Sequence, residues 1–196
     1  MTKPDPYTNR LERLSGARWK RLLNVQAPYR WNILRLEPGH VLDVGCGIGR
    51  NLLHLDGNGV GIDTSQASVE VARKRGCTAY TVDSFLSSPD ATFGRYDSLL
   101  LAHVLEHMPL DAAIELVHSY LPYVKPGGKV IVIVPQRAGY ASDDTHVNFL
   151  DSKDVTDLLE ACGLQVTRSY SFPFTKAVGR VFRHNETIVV AQTLIA

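Results

Sequence analysis

From His40 onward, short apolar runs alternate with longer amphipathic stretches. The runs are HVLDV (40–44), GVGID (59–63), CTAYTV (77–82), YDSLLLA (96–102), GGKVIVIV (127–134), LQVTRSYSF (164–172) and ETIVVAQTL (186–194). Helical spacing fills 48–55, 65–75, a segment near 111–122 and another near 151–161, with a shorter piece near 84–92. Apolar strands alternating with helices predict an α/β fold, a Rossmann-like doubly wound sheet of seven mostly parallel strands with helices on both faces. The last two runs lie too close for a crossover helix, so the final strand is expected to enter antiparallel. Ahead of this core, Leu11, Leu14, Leu22 and Val25 recur at roughly helical spacing and Pro28 restarts the pattern, which predicts one or two helices over 8–36. The reading is one domain over 1–196, an N-terminal helical cap (1–37) on a Rossmann-like core (38–196).

Composition narrows the function classes. With 44% hydrophobic residues in 196, the chain supports one substantial core and is too short for two full-sized domains. Its 21 basic and 20 acidic side chains give a net charge of +1, so no global field favours nucleic acid or an anionic membrane. Cys46, Cys77 and Cys162 are few, odd in number and widely spaced, which suits reduced thiols rather than a disulfide framework. Neither a signal-peptide core nor an apolar run of membrane-spanning length appears, and the cytoplasm is the expected compartment.

The strongest local motif is Val41-Leu42-Asp43-Val44-Gly45-Cys46-Gly47-Ile48-Gly49, a buried strand running into a glycine turn that opens a helix. Glycine allows positive φ and close approach of a ligand to the backbone. Such a loop serves several nucleotide-type cofactors, nicotinamide dinucleotides included. Their fingerprint requires glycine or alanine where Arg50 stands, and Asp43 would repel a pyrophosphate. Asp43 can instead orient the loop or accept a hydrogen bond from an ammonium group. Asp63, followed by Thr64, closes the second run at the carboxyl edge of the sheet, where a carboxylate takes both hydroxyls of a ribose. Asp83 and Ser84 close the third, placed either to meet an adenine amino group or to cap a helix.

The ordered set VLDVGCGIG, GIDTS, TVDSF, YDSLLLAHVLEHM, LPYVKPGGKVIVIVP and LLEACGLQV resembles the class I methyltransferases that bind S-adenosylmethionine, especially the small-molecule branch similar to ubiquinone-biosynthesis methyltransferases. The resemblance covers about residues 38–170. It implies S-adenosylmethionine as cofactor, a reversed last strand, and Gly45, Cys46 and Gly47 along the methionine and ribose parts. It further implies Asp63 and Thr64 at the ribose, Asp83 and Ser84 at the adenine, and backbone groups of Leu101 and Ala102 at the methionine end.

His103-Val104-Leu105-Glu106-His107 also spells a zinc-protease signature, in which two histidines one helical turn apart bind metal. That arrangement needs a sustained helix and a third protein ligand, and Pro109 follows at once, so no metal is assigned. In the resembled family the stretch starts a helix beside the cofactor, which puts His103 at the site or its rim, while His107 reads as a solvated or core-capping residue. The long stretch Pro135–Phe149 after the fifth strand carries Arg137, Tyr140, His146 and Asn148, and the resemblance places it over the active site. His146 or His103 is the candidate general base if the acceptor is a hydroxyl or an ammonium group.

The segment holding Arg10, Arg13, Arg18, Lys20, Arg21, Arg30 and Arg35, interleaved with Tyr7, Trp19, Tyr29 and Trp31, reads as a solvated helix face with apolar anchors. A lid, or a surface for RNA or an anionic substrate, is the alternative. No Asn-Pro-Pro-Tyr-type stretch follows the fourth strand, which favours a small-molecule acceptor over nucleic acid or protein. Two other functions share these motifs: a nicotinamide-dependent oxidoreductase, which Arg50 opposes, and a non-catalytic cofactor-binding regulator. The acceptor itself and the oligomeric state are not encoded in these patterns.

Overall fold

The computed structural model describes residues 26–194. Its strands are β1 (Val41–Val44), β2 (Gly59–Ile62), β3 (Thr78–Tyr80), β4 (Tyr96–Ala102), β5 (Val124–Pro135), β6 (Gln165–Phe172) and β7 (Glu186–Gln192). They form a seven-stranded sheet in the order β3-β2-β1-β4-β5-β7-β6. β2 pairs parallel with β3, and β4 with β5, whereas β7 runs antiparallel to both β5 and β6. The expected reversal of the last strand is present. β1, β2 and the inner halves of β4, β5 and β7 are buried, as their unbroken apolar character dictates, while the more polar β6 lies exposed at an edge.

The helices are α1 (Ala27–Leu34), α2 (Arg50–His54), α3 (Gln66–Lys74), α4 (Val82–Leu86), α5 (Leu110–Tyr120), α6 (Arg137–Tyr140) and α7 (Ser152–Ala161). Local chemistry explains their starts. Ser65 caps α3 by accepting from the Ser68 amide, and Asp151 with Asp154 forms a capping box at α7. One boundary differs from expectation: β3 stops at Tyr80, and Val82, Asp83 and Ser84 belong to α4. Thr81 is responsible, because its hydroxyl accepts from the Ser84 amide at 3.4 Å while Ser84 Oγ donates to the Thr81 carbonyl at 3.1 Å. That local pairing competes with ladder bonding and wins.

Two compact units make up the described chain: residues up to Pro38 with Leu42–Ala91, and Gly39–Val41 with Thr92 onward. In the first, Cys46, Leu52, Val69, Ala72, Cys77 and Ala79 pack into one apolar cluster between the glycine loop, α2, α3 and β3. α1 contributes buried Asn32 and Ile33, and Arg30 grips Asp56 at 2.9 Å on the surface. The Arg35 guanidinium lies 4.6 Å from the centre of the exposed Trp31 ring, so the described end of the basic aromatic segment is a solvated face with anchors. Tyr7, Arg10, Leu11, Arg13, Leu14, Arg18, Trp19, Lys20, Arg21, Leu22 and Val25 lie outside the described residues.

In the second unit, Asp97 at the start of β4 accepts the His40 amide at 2.7 Å and Lys125 Nζ at 2.5 Å, and Lys125 holds its carboxyl below the usual range. Among the described residues no helix is long and apolar enough to cross a membrane.

The cluster under the loop is filled to contact at Gly61, where an added Cβ would meet Cys46 Sγ at 2.6 Å and Leu52 Cδ1 at 2.9 Å. Gly61→Ala is therefore expected to lower stability by about 1–3 kcal/mol, read as a shift in the denaturant midpoint; an unshifted midpoint would contradict this packing.

Candidate functional site

In the first unit the glycine loop turns its own amides inward. Gly45, Gly47 and Gly49 take φ of +78°, +53° and +78°. As a result the Gly45 and Cys46 N–H groups both donate to the Ile62 carbonyl, at 2.8 and 3.0 Å. Gly47 N–H donates to Asp63 Oδ2 at 2.8 Å, and Gly49 N–H to the Cys46 carbonyl at 3.0 Å. A phosphate at a glycine loop is held by outward-pointing amides, and these four are already engaged. The conformation thus disfavours a dinucleotide on grounds independent of Arg50, which lies exposed at the start of α2.

Asp63 is 8% exposed, just past the end of β2. Its Oδ1 accepts the Ser65 amide at 2.8 Å, as Oδ2 accepts that of Gly47. Each carboxylate oxygen retains a further lone pair, so the group is held rigidly with capacity for two hydroxyl donors, the hydrogen-bonding complement of a ribose diol. Thr64 is exposed in the following turn.

Asp43, on β1, has no solvent exposure, and neither of its oxygens has a hydrogen-bond partner. Burial raises its pKa to about 7; the nearby Asn51 amide and the Arg50 charge oppose the shift, and the Asp63 charge adds to it. Buried polar groups are nearly always paired, and an unpaired carboxylate here costs free energy that a cationic donor would recover. Cys46 also behaves differently from its expected role. Its side chain packs into the apolar cluster, burial and neighbouring carboxylates push its thiol up, and only its backbone belongs to the loop face. Asp83 is exposed in the first turn of α4 and Ser84 serves the cap, so these two stand on a helix and not at a strand end.

In the second unit, Leu101 and Ala102 end β4, buried and in register with Val132 and Ile133. His103 follows in the left-handed region at φ +61°, its amide still donating to the Ile133 carbonyl at 2.9 Å. Leu105–His107 forms a single 3-10 turn, and the helix expected to begin in this stretch starts at Leu110, after Pro109. The strained residue and the short turn keep His103 and His107 from sharing a helical face.

His103 sits between two buried carboxylates. Its Nε2 is 2.9 Å from Glu186 Oε1, and its Nδ1 is 3.3 Å from Glu106 Oε1, an ion-pair contact outside hydrogen-bond geometry. Burial works to lower its pKa, but contacts with Glu106 and Glu186 outweigh it and raise the value to about 9. His103 is thus an imidazolium at neutral pH, with both nitrogens directed at carboxylates. Both nitrogens of the expected general base thus face carboxylates.

The stretch after β5 is folded. It opens with α6, the Tyr140 ring stacks on His146 (centroids 5.1 Å) and meets Phe149 edge-on (5.3 Å), and Arg137 lies over Phe149. His146 Nδ1 is 2.7 Å from the Tyr140 carbonyl. Since a carbonyl only accepts, Nδ1 carries the proton and Nε2 keeps its lone pair. Val147 and Asn148 amides donate to the Glu106 carbonyl at 2.8 and 3.1 Å, fixing this stretch to the 3-10 turn. His107, expected to be a solvated or core-capping residue, is half-buried, with its ring centroid 4.9 Å from that of His146.

Residues 11–169 match the family model described as a methyltransferase domain. The chain belongs to that family. The match runs through both compact units. The tabtoxin biosynthesis enzyme of Pseudomonas amygdali pv. tabaci is 27% identical over 176 residues, covering 79% of this chain and 65% of that protein. The probable tRNA methyltransferase 9B of Homo sapiens is 28% identical over 132 residues, covering 66% of this chain and 26% of that protein. The chain thus spans less than two thirds of either curated relative. A solved S-adenosylmethionine-dependent methyltransferase from Archaeoglobus fulgidus has the same fold, with a TM-score of 0.69 at 16% identity, covering 96% of this chain and 100% of that one.

The donor set fits S-adenosylmethionine. Asp43 offers an unpartnered buried carboxylate, suited to an ammonium group, and Asp63 a pre-oriented acceptor pair. Sequence reasoning missed Glu186, which orients His103, and the buried network around it: Gln136 Nε2 donates to Ser171 Oγ at 2.8 Å and Asn185 Nδ2 to Gln136 Oε1 at 2.9 Å. The available signal was an acidic residue opening the otherwise apolar run ETIVVAQ.

Asp43 also sets a pH dependence. The unfolded chain loses this proton near 3.9, whereas the folded one keeps it until about 7. Between these values the folded state binds more protons, so the stability of the cofactor-free protein falls as pH rises from about 4 to about 7, by roughly 4 kcal/mol at most, and then levels. Asp43→Asn should flatten this limb in denaturant titrations across that range; an unchanged slope would remove Asp43 as its source.

Proposed function

We propose that this methyltransferase moves the methyl group of S-adenosylmethionine to a small-molecule acceptor by in-line displacement. The observation that carries this reading is the pairing of an unpartnered, buried Asp43 with a glycine loop whose amides are closed to phosphate. When bound, the cofactor supplies a methyl carbon made electrophilic by its sulfonium. Asp43 takes the ammonium group, and its ionisation is restored by that pairing. Asp63 accepts the ribose hydroxyls while Gly47 and Ser65 hold it in place. Gly45, Gly47 and the backbone of Cys46 allow close approach beside it, with Thr64 at the ribose rim. Backbone groups of Leu101 and Ala102 meet the methionine end, and Asp83 and Ser84 meet the adenine from the first turn of α4.

The acceptor side is assigned to Arg137–Phe149. His146, with Nδ1 committed to the Tyr140 carbonyl, presents Nε2 to an acceptor proton. His103 remains protonated between Glu106 and Glu186 and positions the turn after β4. A small acceptor is supported by the balanced charge of +1, by the absence of an Asn-Pro-Pro-Tyr-type stretch, and by the relative named for tabtoxin biosynthesis. Nucleic acid and membrane are not assigned as partners. Three buried free thiols support a reducing, cytoplasmic setting.

Titration calorimetry with S-adenosylmethionine, S-adenosylhomocysteine and NADH tests the cofactor: the first two should bind at micromolar levels and the third not at all. Preference for NADH would overturn the reading. In the same assay Asp63→Ala should weaken S-adenosylmethionine binding by about 100-fold or more, the equivalent of losing two hydrogen bonds to a charged acceptor; retained affinity in a folded variant would sink the ribose assignment. With an acceptor found by screening, His146→Ala should cut turnover by about 100-fold or more at unchanged cofactor affinity. Wild-type rates would take His146 out of the mechanism.

A further inference from the structure

We propose that Glu106, His107 and His146 form a binding site for a divalent transition-metal ion of the zinc type. One nitrogen from each ring and one Glu106 oxygen lie within 4.8 Å of one another, all within the second compact unit.

Three further observations point to a cation there. Glu106 is 1% exposed, and its carboxylate oxygens have no hydrogen-bond partner; the His103 nitrogen at 3.3 Å is off geometry. The His103 ring meets it at Oε1 alone, and Oε2 has no hydrogen-bond partner. Both histidines are set in the state that ligates metals. His146 Nδ1 faces the Tyr140 carbonyl at 2.7 Å, and His107 Nδ1 faces the Thr145 carbonyl at 3.2 Å and its hydroxyl at 3.3 Å, which leaves Nε2 of each ring as the nitrogen to offer. Backbone carbonyls holding the far nitrogen of each ring are the outer layer that metal-binding histidines characteristically have. Finally, the Val147 and Asn148 amides bonded to the Glu106 carbonyl fasten the third ligand to the turn that carries the other two.

Glu106 has an outer layer too: the His103 ring, itself held by Glu186 at 2.9 Å, stands 3.3 Å from its Oε1. The donor set of two imidazoles and one carboxylate selects a zinc-type or neighbouring transition metal over magnesium or calcium, which take oxygen donors. Around a tetrahedral zinc ion the ligand atoms stand roughly 3.3 Å apart, so binding would draw this group inward by at most roughly 1.5 Å. Three protein ligands leave a position open for water or an acceptor oxygen, as in catalytic rather than structural sites.

The site departs from the sequence-based reading, which weighed His103 with His107 and assigned no metal. In the structure His107 pairs with His146, and His103 is held by carboxylates instead. Existence of the site does not depend on methyl transfer. Its part in the reaction does rest on that reading: an acceptor hydroxyl bound to the ion would lose its proton to solvent more easily, and His146 would then be a ligand and not the proton acceptor.

The test is cobalt(II) and zinc(II) titration of the chelator-stripped protein, followed by visible absorption and calorimetry, with S-adenosylmethionine binding measured in parallel. Expected are one equivalent bound at micromolar affinity or tighter, a cobalt absorption typical of nitrogen and oxygen ligands, and about 100-fold or greater weakening in both Glu106→Gln and His146→Ala. Retained S-adenosylmethionine affinity shows that each variant is folded, and His146→Ala, in the stretch after β5, covers the case in which Glu106→Gln is not. No binding, or binding unaltered in the folded variants, overturns the proposal and leaves the cluster as a proton-holding ion pair. Metal binding without cofactor binding would fail the methyl-transfer reading and spare this one; cofactor binding without metal would do the reverse.

Discussion

Two acceptors at the end of β2 govern the cofactor end of this protein: the carbonyl of Ile62 and the carboxylate of Asp63. Between them they bind the amides of Gly45, Cys46 and Gly47, and so decide which way the glycine loop faces. Had those N–H groups pointed outward, the loop would suit an anion. Turned inward, it presents backbone beside two carboxylates, and its natural complement is a ligand with cationic and hydroxyl groups. The same contacts immobilise Asp63, so an acceptor pair is in place before any ligand arrives. A glycine pattern alone does not distinguish these outcomes. The difference lies in hydrogen bonding across sixteen residues of chain, from Gly47 to Asp63.

A second constraint comes from burying charge. Asp43, Glu106 and Glu186 are each less than one tenth exposed, and their situations differ. Glu186 has His103 at hydrogen-bond distance, Glu106 has only a misaligned contact, and Asp43 has no hydrogen-bond partner. Protein interiors tolerate such groups where function requires them. The ranking therefore separates Glu186, which has an aligned partner, from Glu106, which has a misaligned one, and from Asp43, which has none.

Much of this was legible in the chain itself. Unbroken apolar runs at β1, β4, β5 and β7 announced a buried, mostly parallel sheet, and the short gap before ETIVVAQTL announced its reversed final strand. Asp43 and Asp63 were legible because strand ends in this architecture face ligands. Three features were not. Thr81 redirects Val82-Asp83-Ser84 from strand to helix through a hydroxyl pairing too local for periodicity to register. His103 looked like a base because its residue type suits the task, but Glu106 and the sequence-distant Glu186 face both of its nitrogens. His107 appeared to pair with His103 by spacing, yet a left-handed residue and a 3-10 turn break the helix that such spacing presumes. In each case the deciding partner was either an unusual backbone state or a contact brought in by the sheet.

The attachment of Val147 and Asn148 to the Glu106 carbonyl uses only main-chain atoms on both sides. It places no demand on which side chains occupy 137–145, so that stretch can change its lining residues while its far end stays fastened. Substitution can therefore reshape the surface of one loop without rebuilding the scaffold that holds it.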